Sequence, residues 1–266
     1  MNNWDGNGSV PHDGGLTRNH SCVEQDVARY LRNYGAISKK EQHLLSRKRV
    51  AVIGLGGLGG NVVENLARLG VGHLTLVDGD VFEESNLNRQ LLSTTALIGQ
   101  PKADAACRRI AEINPLVTVC PMQQSLTAEN AVQILSGHDA VVDALDNISD
   151  RLILEQAASC LQIPLIHGAI AGWCGHVCTV LPGDSTLSYL YEGALVDPSD
   201  ATADEVTNSS LSFAASFTAA LQASETTKVL LGRGELTRGK LLQLDLLNNH
   251  FEQVILFLHR GLVPSP

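Results

Sequence analysis

The sequence has little positive charge and no long hydrophobic run. Its 266 residues include 19 Lys and Arg against 28 Asp and Glu, which gives a formal net charge of −9. Because sequence-independent binding to DNA or RNA depends on a basic surface, we do not expect nucleic acid as a partner. The most apolar stretch, residues 211–221, is about half as long as a helix that spans a bilayer. The sequence therefore predicts no membrane span.

A secretory leader and a disulfide framework are also lacking. The N-terminal residues contain neither a basic segment nor an apolar one, so we expect no signal peptide. The six cysteines are scattered along the chain, which is typical of reduced thiols in a chain of this size. These features together predict a cytoplasmic protein. A hydrophobic content of 44% excludes a disordered or collagen-like chain.

The order of hydrophobic patterns predicts a short tail followed by one domain of the α/β class. Residues 1–22 are rich in Asn, Gly and Asp and predict a disordered or weakly docked tail, whereas residues 23–266 predict a single domain. After an N-terminal helical extension, strands alternate with helices, which predicts a Rossmann-like, mostly parallel sheet with helices on both faces. The predicted elements are helices 23–31 and 38–45, strand 50–53, helix 58–69, strand 74–77, helix 102–113, strand 117–119, helix 128–135, strand 140–142, helix 150–161 and strand 165–166.

The rhythm changes after residue 170. An alternating strand at 175–181 leads into a polar crossing loop at about 182–210, which is followed by a helix at 211–231. Two further runs, 241–246 and 253–258, flank an Asn-containing turn and predict C-terminal antiparallel strands.

A glycine-rich turn follows the first strand of this alternation. Its glycines are Gly54, Gly56, Gly57 and Gly59, and the turn opens a helix. Glycines in this context let the backbone approach a phosphate at the positive end of the helix. Asp78 closes the next strand, where a carboxylate can accept hydrogen bonds from ribose hydroxyls. By itself this unit fits any adenine dinucleotide, and tight packing alone could also require the glycines.

Two further motifs favour a nucleoside triphosphate. They are Ser-Asn-Leu-Asn-Arg-Gln at 85–90 and Gly-Gln-Pro-Lys at 99–102. The glycine turn already provides for the single pyrophosphate of a dinucleotide, whereas ATP needs the additional cations Arg89 and Lys102. Asp146 ends another predicted strand and is a candidate Mg²⁺ ligand. The alternative for Asp146 is that it merely caps the helix that begins near Asp150.

Four further motifs complete the pattern: Arg-Tyr-Leu-Arg-Asn at 29–33, Leu-Thr-Leu-Val-Asp at 74–78, Ile-Asn-Pro at 113–115 and Asp-Asn at 146–147. With all these motifs in order, the chain resembles the ThiF/MoeB/HesA family, relatives of ubiquitin-activating enzymes. The resemblance implies that Arg32 acts on the ATP of the neighbouring subunit, and so implies a homodimer. It assigns catalysis to Arg89, Lys102, Asp146 and Arg32. It assigns nucleotide binding to Gly54, Gly56, Gly57, Gly59, Asp78, Ser85, Asn86, Asn88, Arg89, Lys102, Asp146 and Asn147.

The resemblance also implies an activity. It is the ATP- and Mg²⁺-dependent adenylation of the C-terminal Gly-Gly carboxylate of a small ubiquitin-fold sulfur-carrier protein, with release of pyrophosphate. Positioning and charge stabilisation suffice for this reaction, because the carboxylate of the carrier is itself the nucleophile. Two alternatives stay open: a tRNA-modifying, ATP-dependent dehydratase of the same superfamily, and a non-catalytic adaptor that binds the carrier.

The sequence departs from the family at its cysteines. Many members hold a structural zinc with two Cys-x-x-Cys pairs, and neither pair is present. Cys174, His176 and Cys178 alternate along one predicted strand, which places the two cysteines about 13 Å apart. They cannot then bind one zinc ion, so we expect no zinc and interpret them as core residues. The crossing loop contains no cysteine, which favours a separate sulfurtransferase. His167, at the end of a strand, is assigned no catalytic role.

Overall fold

The computed structural model describes residues 28–191 and 209–256. The predicted tail at 1–22, the start of the first predicted helix and residues 192–208 of the crossing loop lie outside the described residues. The described residues form one eight-stranded sheet in the order β3-β2-β1-β4-β5-β6-β7-β8. Its strands are β1 (Arg49–Ile53), β2 (His73–Val77), β3 (Thr118–Met122), β4 (Ala140–Asp143), β5 (Leu165–Ala171), β6 (Cys174–Val180), β7 (Lys240–Asp245) and β8 (His250–Ile255).

The direction of the strands follows the prediction. Strands β1 to β5 pair in parallel, and β6, β7 and β8 extend the sheet in antiparallel orientation. The mostly parallel sheet and the C-terminal antiparallel strands are therefore confirmed. The strand order reverses between β1 and β4, and such a switch point opens a crevice at the carboxyl ends of the strands.

Helices cover both faces of the sheet, because successive side chains of β1 point to opposite faces and are buried on both. Val50 and Val52 belong to a core with α2, α3 and α7, whereas Ala51 and Ile53 belong to a second core with α4, α5 and α6. Two such cores are what a strand buried on both faces produces. The helices are α1 (Lys39–Leu45), α2 (Gly57–Leu69), α3 (Lys102–Ile113), α4 (Ala131–Leu135), α5 (Ile148–Leu161), α6 (Thr186–Tyr191) and α7 (Ser212–Leu231). None of the described helices is long and apolar enough to cross a membrane.

The described part of the N-terminal extension is helical. It consists of a 3-10 turn, Ala28–Tyr30, followed by α1. The N-terminus of α1 is fixed by a capping box, in which Ser38 accepts from the Glu41 amide and Glu41 accepts from the Ser38 amide. The ring of Tyr30 is buried, and its hydroxyl accepts a hydrogen bond from Asn114 at 2.8 Å.

The crossing loop is not free of structure, which corrects the prediction for 182–210. Helix α6 lies inside it because Leu187 is fully buried and the buried carboxylate of Glu155 accepts the amides of Leu187 and Ser188. A carboxylate at the N-terminus of a helix satisfies donors that lack intrahelical partners.

The hairpin turn also differs from the prediction, since β8 begins three residues earlier than residue 253. The turn is tight because Asp245 accepts the amides of Leu247 and Asn248, while Asn249 adopts a φ of +52°.

Candidate active site

A cavity of about 390 Å³ opens at the carboxyl ends of β1, β2 and β4, where the strand order reverses. This volume lies in the range of small-molecule sites. The cavity brings together most of the residues that the motifs singled out. Its polar and glycine lining is Gly54, Gly56, Gly57, Asp78, Gly79, Asp80, Arg89, Gln90, Lys102, Gln124, Ser125, Asp146, Asn147, Asp150, Arg151 and Ser210.

The four glycines of the turn divide into two pairs. A Cβ on Gly59 would lie 1.9 Å from the carbonyl oxygen of Gly54, and a Cβ on Gly54 would lie 2.5 Å from that of Ala144. Gly54 also has a φ of +88°. These two glycines are therefore required by close packing of the backbone. Gly59 does not line the cavity, so the structure does not place it at the predicted nucleotide contact.

Gly56 and Gly57 line the cavity and have space around them. A Cβ on Gly57 would meet no protein atom closer than 3.4 Å, and one on Gly56 would meet none closer than 3.6 Å. Packing therefore does not require glycine at residue 57. Residue 57 lines the cavity at the N-terminus of α2, where amide groups favour an anion.

Asp78 ties the glycine turn to the end of β2. Its carboxylate accepts the amide of Leu55 at 2.7 Å and that of Asp80 at 2.8 Å. Burial raises the pKa of Asp78 above its ordinary value, although Lys102 and the two amides act in the opposite direction. The carboxylate lies in the cavity wall, where the sequence predicted it.

Lys102 and Arg89 are not ordinary solvated charges. The side chain of Lys102 is 7% exposed, and its ammonium group lies 2.9 Å from the carboxylate of Asp80. Arg89 is half-buried and donates to the carbonyl of Ser85 and to the side chain of Asn88. Both cations line the cavity.

The other members of the motif at 85–90 have local tasks. Asn86 is buried, and its side-chain oxygen accepts the amide of Glu83 while its nitrogen donates to Ser85. Asn88 donates to the carbonyl of Ser210. Ser85, Asn86 and Asn88 do not line the cavity, so the structure does not bring them to the predicted nucleotide contacts. They build the turn that presents Arg89.

Asp146 and Asn147 follow β4. Asn147 is the N-cap of α5, because its side-chain oxygen accepts the amide of Asp150 at 2.8 Å. The alternative that Asp146 caps this helix is therefore wrong. Asp146 is exposed and lines the cavity, and so its carboxylate is directed to solvent and ligand rather than to the helix.

Several lining residues were not predicted as site residues, among them Asp80, Gln90 and Arg151. Asp80 was missed because its ion pair with Lys102 joins residues 22 positions apart. Gln90 is buried, and its side-chain oxygen has no hydrogen-bond partner among the described residues. The sequence signal for Gln90 was its position next to Arg89. Arg151 lies one helical turn after Asn147, a spacing that returns it to the same edge of the sheet.

The cysteines and Arg32 have different surroundings. Cys178 is buried, and burial raises the pKa of its thiol. Cys174 is exposed, so its interpretation as a core residue is wrong. The described residues contain no group of three or more His, Cys, Asp or Glu arranged to hold a metal ion. Arg32 is exposed and does not line the cavity of its own chain.

Comparison with known proteins gives consistent matches. The sequence profile of the ThiF family matches residues 30–260. The SAMP-activating enzyme E1 of Haloferax volcanii is 36% identical over 219 residues, which cover 82% of this chain and 80% of that protein. The sulfur carrier protein adenylyltransferase of Thermus thermophilus is 36% identical over 238 residues (87% and 88%). The molybdopterin-synthase adenylyltransferase of Salmonella typhimurium is 32% identical over 240 residues (90% and 96%).

Solved structures share the fold. E. coli MccB with ATP superposes with a TM-score of 0.72 at 20% identity, covering 89% of this chain and 74% of that one. PaaA superposes with a TM-score of 0.68 at 24% identity, covering 82% and 76%.

Proposed function

This chain belongs to the ThiF family, and we propose that it is an ATP-dependent adenylyltransferase that activates the C-terminal Gly-Gly carboxylate of a small ubiquitin-fold sulfur-carrier protein. The observation that carries this proposal is the cavity that Gly56 and Gly57 line together with Arg89 and Lys102. Relatives named as adenylyltransferases of sulfur-carrier protein and molybdopterin synthase support it.

Several cavity residues have a role in this reaction. The N-terminus of α2, with Gly56 and Gly57, receives phosphate groups, and Asp78 accepts hydrogen bonds from the ribose. The carboxylate of the carrier attacks the α-phosphorus, and the bond to the bridging oxygen of the β-phosphate breaks. Arg89 and Lys102 stabilise the negative charge that collects on the leaving pyrophosphate. The product is an acyl-adenylate on the carrier.

Asp146 fits a magnesium site. It offers an exposed carboxylate in the cavity wall, and one or two carboxylates plus phosphate oxygens commonly hold this ion. When bound, Mg²⁺ neutralises phosphate charge. Asp146, at the end of β4, would hold the ion, while Asn147 caps the N-terminus of α5 beside it.

An exposed aromatic surface supports a protein rather than a small molecule as the second substrate. Trp173 and Phe213 are 43% and 44% exposed, with ring centroids 4.8 Å apart. They flank the point where Gly172 pairs with Ser210, and Ser210 lines the cavity. A carrier docked on this surface can direct its extended tail into the cavity, since exposed aromatic groups are typical anchors of interfaces.

The chain itself would act as a homodimer, with Arg32 reaching the partner's cavity. Sulfur transfer belongs to a separate sulfurtransferase, because the thiol of Cys178 is buried and its raised pKa disfavours the reactive thiolate.

Exchange of radioactive pyrophosphate into ATP tests the proposal. We expect exchange with Mg²⁺ in the presence of one small carrier protein, and no exchange with the same carrier lacking its two terminal glycines. No exchange with any Gly-Gly-tailed carrier, alongside tight ATP binding, would refute the proposal. It would favour the tRNA-modifying dehydratase if tRNA is retained at low salt, and the non-catalytic adaptor if it is not.

A further inference from the structure

A buried polar network lies behind the cavity. It consists of Asp143 at the end of β4, His167 in β5, Arg151 in α5 and Tyr191 at the end of α6. Asp143 and His167 are fully buried. The His167 Nδ1 to Asp143 Oδ2 distance is 2.6 Å, Tyr191 Oη to His167 Nε2 is 3.1 Å, and Arg151 Nη1 to Tyr191 Oη is 2.7 Å.

The hydrogen bonds of this network have one consistent direction. Burial raises the pKa of Asp143, but Arg151 and His167 outweigh it and hold the pKa below its ordinary value, so the carboxylate is charged. Burial lowers the pKa of His167, so the ring is neutral. His167 therefore donates from Nδ1 to Asp143 and accepts at Nε2 from the Tyr191 hydroxyl, which in turn accepts from Arg151. His176 Nε2 also lies 3.1 Å from His167 Nε2, whose single lone pair is directed to the Tyr191 hydroxyl.

Both ends of the network hold the same residue of the cavity wall. Asp143 Oδ1 accepts the amide of Leu145 at 3.0 Å, and Arg151 Nη2 donates to the carbonyl of Leu145. Leu145 directly precedes Asp146, and Leu145, Asp146 and Arg151 all line the cavity. The amide and the carbonyl of Leu145 are thus fixed by groups that also contact α6 through Tyr191.

We propose that this network positions the adenylation site: it fixes the backbone of Leu145, thereby directs Asp146 into the cavity, and makes ATP binding depend on the docking of α6. The proposal rests on the proposed function, since Asp146 acts there on the nucleotide. Asp143, His167 and Tyr191 do not line the cavity and are positioning residues, because their effect on the nucleotide passes through the Leu145 backbone, whereas Arg151 also lines the cavity itself.

The test removes one hydroxyl group. Tyr191→Phe deletes the link between Arg151 and His167 and keeps the ring, and Tyr189→Phe deletes a hydroxyl from the same helix at a residue that is 56% exposed. Hydrogen exchange of the 144–147 backbone and the Kd for ATP with Mg²⁺ are measured in the full chain. For Tyr191→Phe we expect exchange roughly tenfold faster and a Kd roughly fivefold higher, as for one lost hydrogen bond. Tyr189→Phe is expected to match the parent.

A second variant distinguishes positioning of the Leu145 backbone by the network from a general loss of rigidity in the protein. His167→Asn keeps a donor for Asp143 but removes the acceptor for Tyr191. Because both substitutions break the same link, the double variant is expected to be no worse than the more affected single variant. Unchanged exchange and Kd in Tyr191→Phe, equal effects in Tyr189→Phe, or additive effects in the double variant would overturn the proposal. Failure of pyrophosphate exchange in the parent, with the expected loop exchange intact, would instead count against the proposed function alone.

Discussion

The substitution of Gly57 by Ala is expected to leave the fold at least as stable and to weaken nucleotide binding. Gly57 is the first residue of α2, and its φ is not in the left-handed region. A Cβ there would lie 3.4 Å from Ala215 Cβ and 3.6 Å from Arg89 Cγ, both ordinary contacts. Ala is preferred over Gly in helices by up to about 1 kcal/mol, so the free energy of unfolding is expected to stay level or rise.

The effect on ATP has the opposite sign, because residue 57 lines the cavity and the new methyl group would lie beside Arg89, which is proposed to hold the phosphates. We therefore expect weaker ATP binding, and a displacement of the reacting phosphate by about 1 Å lowers turnover by as much as roughly a hundredfold. Gly59→Ala is the matched control: its Cβ would lie 1.9 Å from the Gly54 oxygen. Overpacking of this kind costs about 3 kcal/mol or more. The melting temperature is then expected to fall by roughly 6 to 12 °C.

Thermal unfolding followed by circular dichroism and calorimetric titration with ATP separate the two effects. Gly57→Ala should melt at or slightly above the parent temperature and bind ATP more weakly than the parent, whereas Gly59→Ala should melt well below the parent temperature. Parent-like ATP affinity in Gly57→Ala would refute the assignment of the open glycine to the phosphates. A parent-like melting temperature in Gly59→Ala would refute the packing argument.

Three further predictions concern charge. Arg89→Ala is expected to lower carrier-dependent pyrophosphate exchange at least about a hundredfold with an unchanged melting temperature, because it removes stabilisation of the leaving group. Asp146→Asn is expected to raise the Mg²⁺ concentration needed for half-maximal exchange, and an unchanged Mg²⁺ requirement would contradict its role. Burial lowers the pKa of His176 from 6.5 to about 3. Since the unfolded chain then binds one more proton, stability is expected to fall as the pH drops from 6.5 towards 3, by up to about 1.4 kcal/mol per pH unit. Urea unfolding of His176→Gln over this range should show a slope shallower by one proton, and an identical slope would contradict the shift.

The order of strands and helices could be predicted because its signal is local. The β-branched run at 50–53 became β1, and the apolar period at 58–69 became α2 with one added residue. Both depend on side chains a few positions apart. The crossing loop was mispredicted because α6 depends on the carboxylate of Glu155, more than 30 positions away, and no local pattern reports such a partner.

The candidate site could be predicted only in part for the same reason. A motif shows which residues lie near a ligand, but not which of them the turn itself uses. The side chain of Asn86 is engaged within the turn, where it accepts the amide of Glu83, while Arg89 in the same motif lines the cavity. The pairing of Asp143 with His167 joins adjacent strands in a register that only the folded sheet defines.

The charge of the cavity lining bears on the prediction that the chain forms a homodimer. Its described lining holds three cations against four carboxylates. Such a lining has no net positive charge to attract a nucleotide that carries roughly four negative charges, which favours additional positive charge from outside the chain's own cavity. The proposed sources are Mg²⁺ and Arg32 of a partner subunit. If Arg32 acts across the dimer, Arg32→Ala and Arg89→Ala are each inactive as homodimers. Mixed and reassociated, they form heterodimers with one intact site of two, which restores about a quarter of the parent activity at random association. No recovery, with heterodimers confirmed by mass spectrometry, would show that Arg32 does not act in trans.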